Sequence, residues 1–111
     1  MQRAPLDLIY RRQAARDLES LFDYISADRP LAAERFLLEI KRACEGLCWF
    51  PMIGRQLDPD DDRDPDDDRV RVLTIRRRAA IKFLVLENAV HILGISYWGR
   101  DLDTFFAGRL P

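Results

Sequence analysis

A single histidine, His91, and two cysteines, Cys44 and Cys48, are the chain's only side chains of the kinds that most often hold transition metals. A structural zinc site needs about four such ligands, so neither a metal nor another cofactor is expected. The two cysteines stand four residues apart in a helical stretch. A bridge there would close almost no loop, so they read as buried thiols and not as a disulfide framework. Glycine is also scarce, and the five present nowhere form a phosphate-cradling loop. No serine, histidine and aspartate combination for nucleophilic catalysis stands out, and His91 sits within an apolar strand, where a structural role is the simpler reading. Long apolar runs are missing as well. The longest candidate, "AAIKFLVLENAVHILGISYW", is broken by Lys82, Glu87, Asn88 and His91, whereas a membrane helix needs roughly 18 predominantly apolar residues. "MQRAPLDLIY" has no apolar core followed by a small-residue cleavage site, so no secretory signal is read there. The expectation is a cytoplasmic protein with no membrane partner.

What the sequence has in excess is aspartate, and in one place. "DPDDDRDPDDDR", residues 58–69, is a six-residue unit written twice, with eight Asp, two Arg and two Pro. An EF-hand loop would put Gly sixth and Glu twelfth, places held here by Arg63 and Arg69. With no apolar residue to bury, the segment has nothing to offset the entropy of ordering, and doubling a loop adds only about 0.6 kcal/mol of closure entropy. It is read as an expanded, mobile connection over about 55–69. A second reading lays its carboxylates over a basic surface as a mimic of nucleic-acid phosphate, which deletion would test. The formal net charge of −1 therefore hides a basic body, because removing residues 58–69 leaves 16 basic against 11 acidic residues. Sixteen of the 18 cationic side chains are Arg, the one suited to forked contact with phosphate and carboxylate.

The rest patterns as one domain over residues 1–111. "LDLIY" (6–10) is a candidate opening strand. Leu18, Leu21, Phe22 and Ile25 recur at helical spacing, with Arg16, Asp17, Glu19, Ser20 and Asp23 off the stripe. "DRP" ends that helix, and Pro30 suits the first turn of the next. The second helix, from about Leu31 to Cys48, carries Ala33, Phe36, Leu37, Ile40, Cys44 and Leu47 on one side and Glu34, Arg35, Glu39, Lys41 and Arg42 on the other. Pro51 and Gly54 close the helical half. Then "VRVLTIRR" (70–77), "AIKFLVLE" (80–87) and "VHILGISYW" (90–98) read as three strands of a meander, with Asn88 suited to a left-handed turn. The middle strand is apolar at nearly every position, as a central strand covered on both faces would be. The tail from Gly99 to Pro111 can add a short helical turn bearing Phe105 and Phe106. The expected architecture is α+β, in the order β-α-α-β-β-β: an N-terminal strand and an α-helical hairpin packed on one face of a small, mainly antiparallel β-sheet.

Chemistry-bearing residues gather around the meander. "RVLTIRRRAAIK" places Arg71, Arg76, Arg77, Arg78 and Lys82 about a strand–turn–strand junction, and "SYWGRD" ends the last strand with Tyr97, Trp98 and Arg100. Arg76 and Arg78 share a face if the strand extends that far, and aromatics beside Arg are ingredients of phosphate and base contacts. The plainer reading is a solvated strand end whose charges guard an edge.

The order of these strings resembles the RelE/ParE superfamily of toxins from type II toxin–antitoxin systems, the ParE branch more than the RelE branch. "ARDLESLFDYISADRPLAAERFLLEI" is similar to the family's helical hairpin and "FPMIGR" to its Pro and Gly-Arg connection. "VRVLTI" and "AAIKFLVLENAVHILGI" are similar to its strands, and "SYWGRD" to its terminal motif. The resemblance implies a toxin held inactive in a hetero-oligomer with a cognate antitoxin, which lays an amphipathic helix and an extended segment along an exposed groove. For the ParE branch it implies DNA gyrase as the target, reached by protein–protein contact through Arg76, Arg78, Lys82, Tyr97, Trp98 and Arg100, with no catalytic site. For the RelE branch it implies a metal-independent, ribosome-dependent endoribonuclease, in which Arg76, Arg78, Lys82 and Arg100 stabilise charge and Tyr97 assists proton transfer. An inactive relative that only binds its antitoxin is a third reading, and direct nucleic-acid contact is left open. Two features depart from the family: many members carry His where this chain has Tyr97, and most have a short connection where the acidic repeat lies.

Overall fold

The computed structural model describes residues 4–56 and 69–97. The elements run β1 (Asp7–Tyr10), α1 (Arg12–Ser26), α2 (Pro30–Leu47), β2 (Arg55–Gln56), β3 (Arg71–Ile75), β4 (Ala79–Leu86) and β5 (Ala89–Tyr97). They build the expected α+β order with one addition. Arg55 and Gln56, at the start of the stretch read as loop, pair antiparallel with Val72 and Arg71. Two residues carry no readable period, which is why the sequence hides β2. The rest of the acidic repeat before Arg69, and the tail after Tyr97, lie outside the described residues.

The sheet order is β1-β5-β4-β3-β2. β1 lies parallel to β5, with Leu8 beside Val90 and Tyr10 beside Ile92, and the other pairings are antiparallel. α1 leaves β1 after a single residue, and Pro30 supplies the first turn of α2, where its missing N–H costs nothing. The helices cover one face. Ala14 and Leu21 from α1, Ile40, Cys44 and Leu47 from α2, and Ile81, Phe83 and Ile92 from the sheet are buried together. A fully buried side chain of this size contributes about 1.5–3 kcal/mol. Burial pushes the Cys44 thiol up to about 11 and raises that of Cys48, so at neutral pH both are uncharged core residues and poor nucleophiles.

β4 is central in the sheet, but among the described residues it is not covered on both faces. Ala79, Ile81 and Phe83 meet the helices, while on the other face Lys82 is exposed, Ala80 half-buried and only Leu84 buried.

Two tight joints hold this frame. Gly54 is buried where the chain enters β2, and a Cβ there would lie 2.8 Å from the Val72 carbonyl oxygen and 2.9 Å from the Phe83 ring. Only glycine allows that approach. Arg71 fastens the same corner, its guanidinium donating to the Gly54 carbonyl oxygen at 2.6 Å. The second joint is a bulge: Lys82 faces Gly94 whereas Phe83 faces Ile92, so Leu93 is the extra residue on β5. Just past it, Asp17 of α1 accepts from the Ile95 N–H at 2.8 Å, while Gln13 donates to its other oxygen. Asp17 is thus half-buried and bonded to the sheet, where the helical period placed it off the core stripe.

Candidate functional site

β3 ends at Ile75, so Arg76 and Arg78 do not lie on a sheet face; with Arg77 they form the β3–β4 turn. The turn closes by a bond from the Arg78 N–H to the Ile75 carbonyl oxygen at 2.9 Å. Arg76 and Arg77 take φ of 50° and 57°, a region in which a non-glycine side chain is strained and where Asn or Gly is usual. At the β4–β5 turn Glu87 and Asn88 do the same, with φ of 49° and 70°, as the sequence led one to expect for Asn88.

The turn arginines have different neighbours. Arg76 Nε donates to Glu39 Oε1 of α2 at 2.9 Å, tying the turn to the helical layer. Arg78 instead lines a cavity of about 300 Å³ between the α1–α2 joint and the end of the sheet. Tyr24, Ile25, Asp28, Arg29, Ala32, Phe36 and Tyr97 complete its wall. The Tyr97 ring stands edge-on to Tyr24 at 5.9 Å and tilted against Phe36 at 5.6 Å, geometries that aromatic quadrupoles favour. Arg29 has Asp28 nearby at a loose 3.9 Å. Among the described residues Arg78 forms no ion pair.

Arg78 and Tyr97 are therefore brought together, whereas Arg76 is not part of the cavity wall and pairs with Glu39. Lys82 stands apart, because it projects from the sheet face opposite Ile81 and Phe83. Trp98 and Arg100 lie outside the described residues. His91 accepts from Arg11 Nε at 2.9 Å through its Nδ1, which fits a structural role. Three cavity residues, Tyr24, Asp28 and Arg29, did not stand out in the sequence. The available signal was an aromatic on the polar side of α1, one turn before a charged joint.

Residues 8–97 match the family model described as the ParE toxin of type II toxin–antitoxin systems, parDE. Toxin RelE2 of Caulobacter vibrioides is 29% identical over 93 residues, covering 84% of this chain and 96% of that protein. A chain of the chromosomal ParDE system from P. aeruginosa superposes with a TM-score of 0.67 at 26% identity, covering 83% of this chain and 95% of that one. The RelBE2 toxin–antitoxin complex of Mycobacterium tuberculosis gives a TM-score of 0.63 at 16% identity, covering 86% of this chain and 100% of that one, which bears on the fold alone. Spanning both helices and every strand from Leu8 to Tyr97, the match shows that this chain belongs to the ParE family of type II toxins.

Proposed function

We propose that this toxin is neutralised by a cognate antitoxin protein in a hetero-oligomer, and that it arrests growth by contacting DNA gyrase without a catalytic site of its own. The observation that carries this reading is the divergence of its cationic and phenolic groups. Metal-free cleavage of RNA needs a base, an acid and a charge stabiliser within hydrogen-bond reach of one phosphate. Here Arg78 and Tyr97 line one cavity, Arg76 is paired with Glu39, and Lys82 projects from the opposite sheet face. Among the described residues, such an arrangement supports an extended contact surface better than a reaction centre. The likeness to Toxin RelE2 favours a second reading as a ribonuclease, with Arg76, Arg78, Lys82 and Arg100 holding a phosphate and Tyr97 assisting transfer of the 2′-hydroxyl proton.

Expression from a tightly controlled promoter separates the two. Gyrase poisoning gives filamentous cells with an induced DNA-damage response. Prompt arrest of translation with cut transcripts would instead select the ribonuclease, and unaltered growth an inactive antitoxin-binding relative. Arg76→Ala, Arg78→Ala and Arg100→Ala variants are expected to lose toxicity; full toxicity in all three removes the target-binding assignment.

A further inference from the structure

We infer that the outer edge of β1 docks a second copy of this chain, the two β1 strands pairing antiparallel about a twofold axis at Ile9 and joining the two sheets into one. This goes beyond the proposed target contact and uses none of the residues assigned to it. The sheet ends in β1 on one side and β2 on the other. β2 has only two residues, and so short a strand offers a newcomer little to pair with. β1 differs. The Asp7 and Arg11 N–H groups donate to the Asn88 and Ile92 carbonyl oxygens, so alternation along the strand turns the N–H and C=O of Leu8 and Tyr10 away from β5. Among the described residues no backbone bond reaches the Leu8 or Tyr10 N–H on that side. Arg11 continues the strand up to the start of α1, its backbone extended at φ −67° and ψ 159°.

The choice of a second copy rests on charge complementarity of the strip with itself. Leu8 and Tyr10 pack on the core, so Asp7, Ile9 and Arg11 share the face turned away from the helices. All three are exposed, Ile9 at 41%. In an antiparallel pair centred on Ile9, Asp7 lies opposite the partner's Arg11, Ile9 opposite the partner's Ile9, and Leu8 opposite the partner's Tyr10. Leu8 and the partner's Tyr10 exchange their N–H···O bonds, while the charged pairs and Ile9 fall at the closer positions, Cα atoms about 4.5 Å apart. Opposite charges facing each other there are favourable and like charges are not. A shift of the register by two residues would set Ile9 against a charge. Among the described residues neither Asp7 nor Arg11 forms an ion pair. Arg11 donates through Nε to His91, which anchors the side chain and leaves its Nη groups for the partner's Asp7. A strand of four residues makes a small contact, so the dimer is weak and reversible.

The test is sedimentation velocity of the purified full chain over a range of concentrations, with amide hydrogen exchange measured at each. The mass is expected to rise toward that of a dimer, and exchange at Leu8 and Tyr10 to slow about tenfold in step with it. Asp7→Arg and Arg11→Asp, which each set like charges opposite one another, should weaken association about tenfold. The double variant Asp7→Arg, Arg11→Asp should return it to within about threefold of the parent, which neither a loss of folding nor the lost Arg11–His91 bond would do. A monomer at every concentration, a dimer indifferent to the single reversals, or a folded double variant that stays monomeric each overturn the inference. Protection of Leu8 and Tyr10 without a change in mass assigns the edge to another segment of the same chain, and protection only with a co-purified antitoxin assigns it to that protein; either result overturns the inference too. Because the readout is mass and exchange of the purified chain, it is independent of whether expression poisons gyrase.

Discussion

The two ends of the β3–β4 hairpin both carry arginine, and Arg71 and Arg78 are used in opposite ways. At the open end, Arg71 gives its guanidinium to the Gly54 carbonyl oxygen at 2.6 Å, in a corner so close that Gly54 has no room for a Cβ. At the turn end, Arg78 lines a cavity and forms no ion pair among the described residues, and Arg76 and Arg77 accept a strained left-handed backbone. Residue type does not separate these roles. What separates Arg71 from Arg78 is whether the folded chain brings an acceptor to the guanidinium, as the segment leading into β2 does for Arg71.

The sharpest way to break this contrast is at Gly54. Gly54→Ala would force the Val72 backbone or the Phe83 ring to move, and should cost about 3 kcal/mol, read as a lower urea midpoint with an unchanged slope. Arg71→Ala, which leaves the Gly54 carbonyl oxygen without its donor, should cost about 1–2 kcal/mol. Arg78→Ala should stay within about 0.5 kcal/mol of the parent. If Arg78→Ala proved as destabilising as Arg71→Ala, the two ends would not differ in kind.

Asp17 tests the structural side of the contrast from the other edge of β4. Its carboxylate accepts from the Ile95 N–H just past the bulge, so Asp17→Ala should cost about 2 kcal/mol and accelerate hydrogen exchange at Ile95 selectively. Asp17→Asn keeps an acceptor oxygen and should recover much of that loss. Equal loss in both variants would mean that charge, and not the bond to Ile95, is what the site requires.

The sequence made the helices and the meander legible because their signals repeat. Leu18, Leu21 and Ile25 recur at the helical period, Pro30 marks a helix start, and Asn88 sits where a left-handed turn was needed. It concealed what depends on single contacts between distant segments. Nothing local distinguishes Asp17 from the solvated acids around it, since its partner is 78 residues away. β2 is too short to show a period, and the bulge at Leu93 is a matter of register between strands. The candidate site was half legible for the same reason. Arg76, Arg78 and Tyr97 stood out as charge and aromatic near strand ends, whereas Tyr24, Asp28 and Arg29 join them only once the helical hairpin folds over the sheet. Lys82 shared a run with the turn arginines but belongs to the other face, because strand alternation separates neighbours that a linear reading groups together.

The smallest effect in stability is the most informative about function. Asn-Gly suits a turn with two left-handed residues better than Arg-Arg or Glu-Asn, so replacing either pair should relieve strain of the order of 1 kcal/mol. At Arg76–Arg77 the gain is partly offset by losing the exposed Arg76–Glu39 contact, a pair of the kind worth about 0–1 kcal/mol. Both double variants should therefore melt at or a few degrees above the parent. Only the Arg76→Asn, Arg77→Gly variant should lose growth arrest if the turn contacts the target as proposed, because only that turn carries arginines. Were the two equally toxic, the strained arginine turn would have no functional account, and the contact surface would have to be sought away from it.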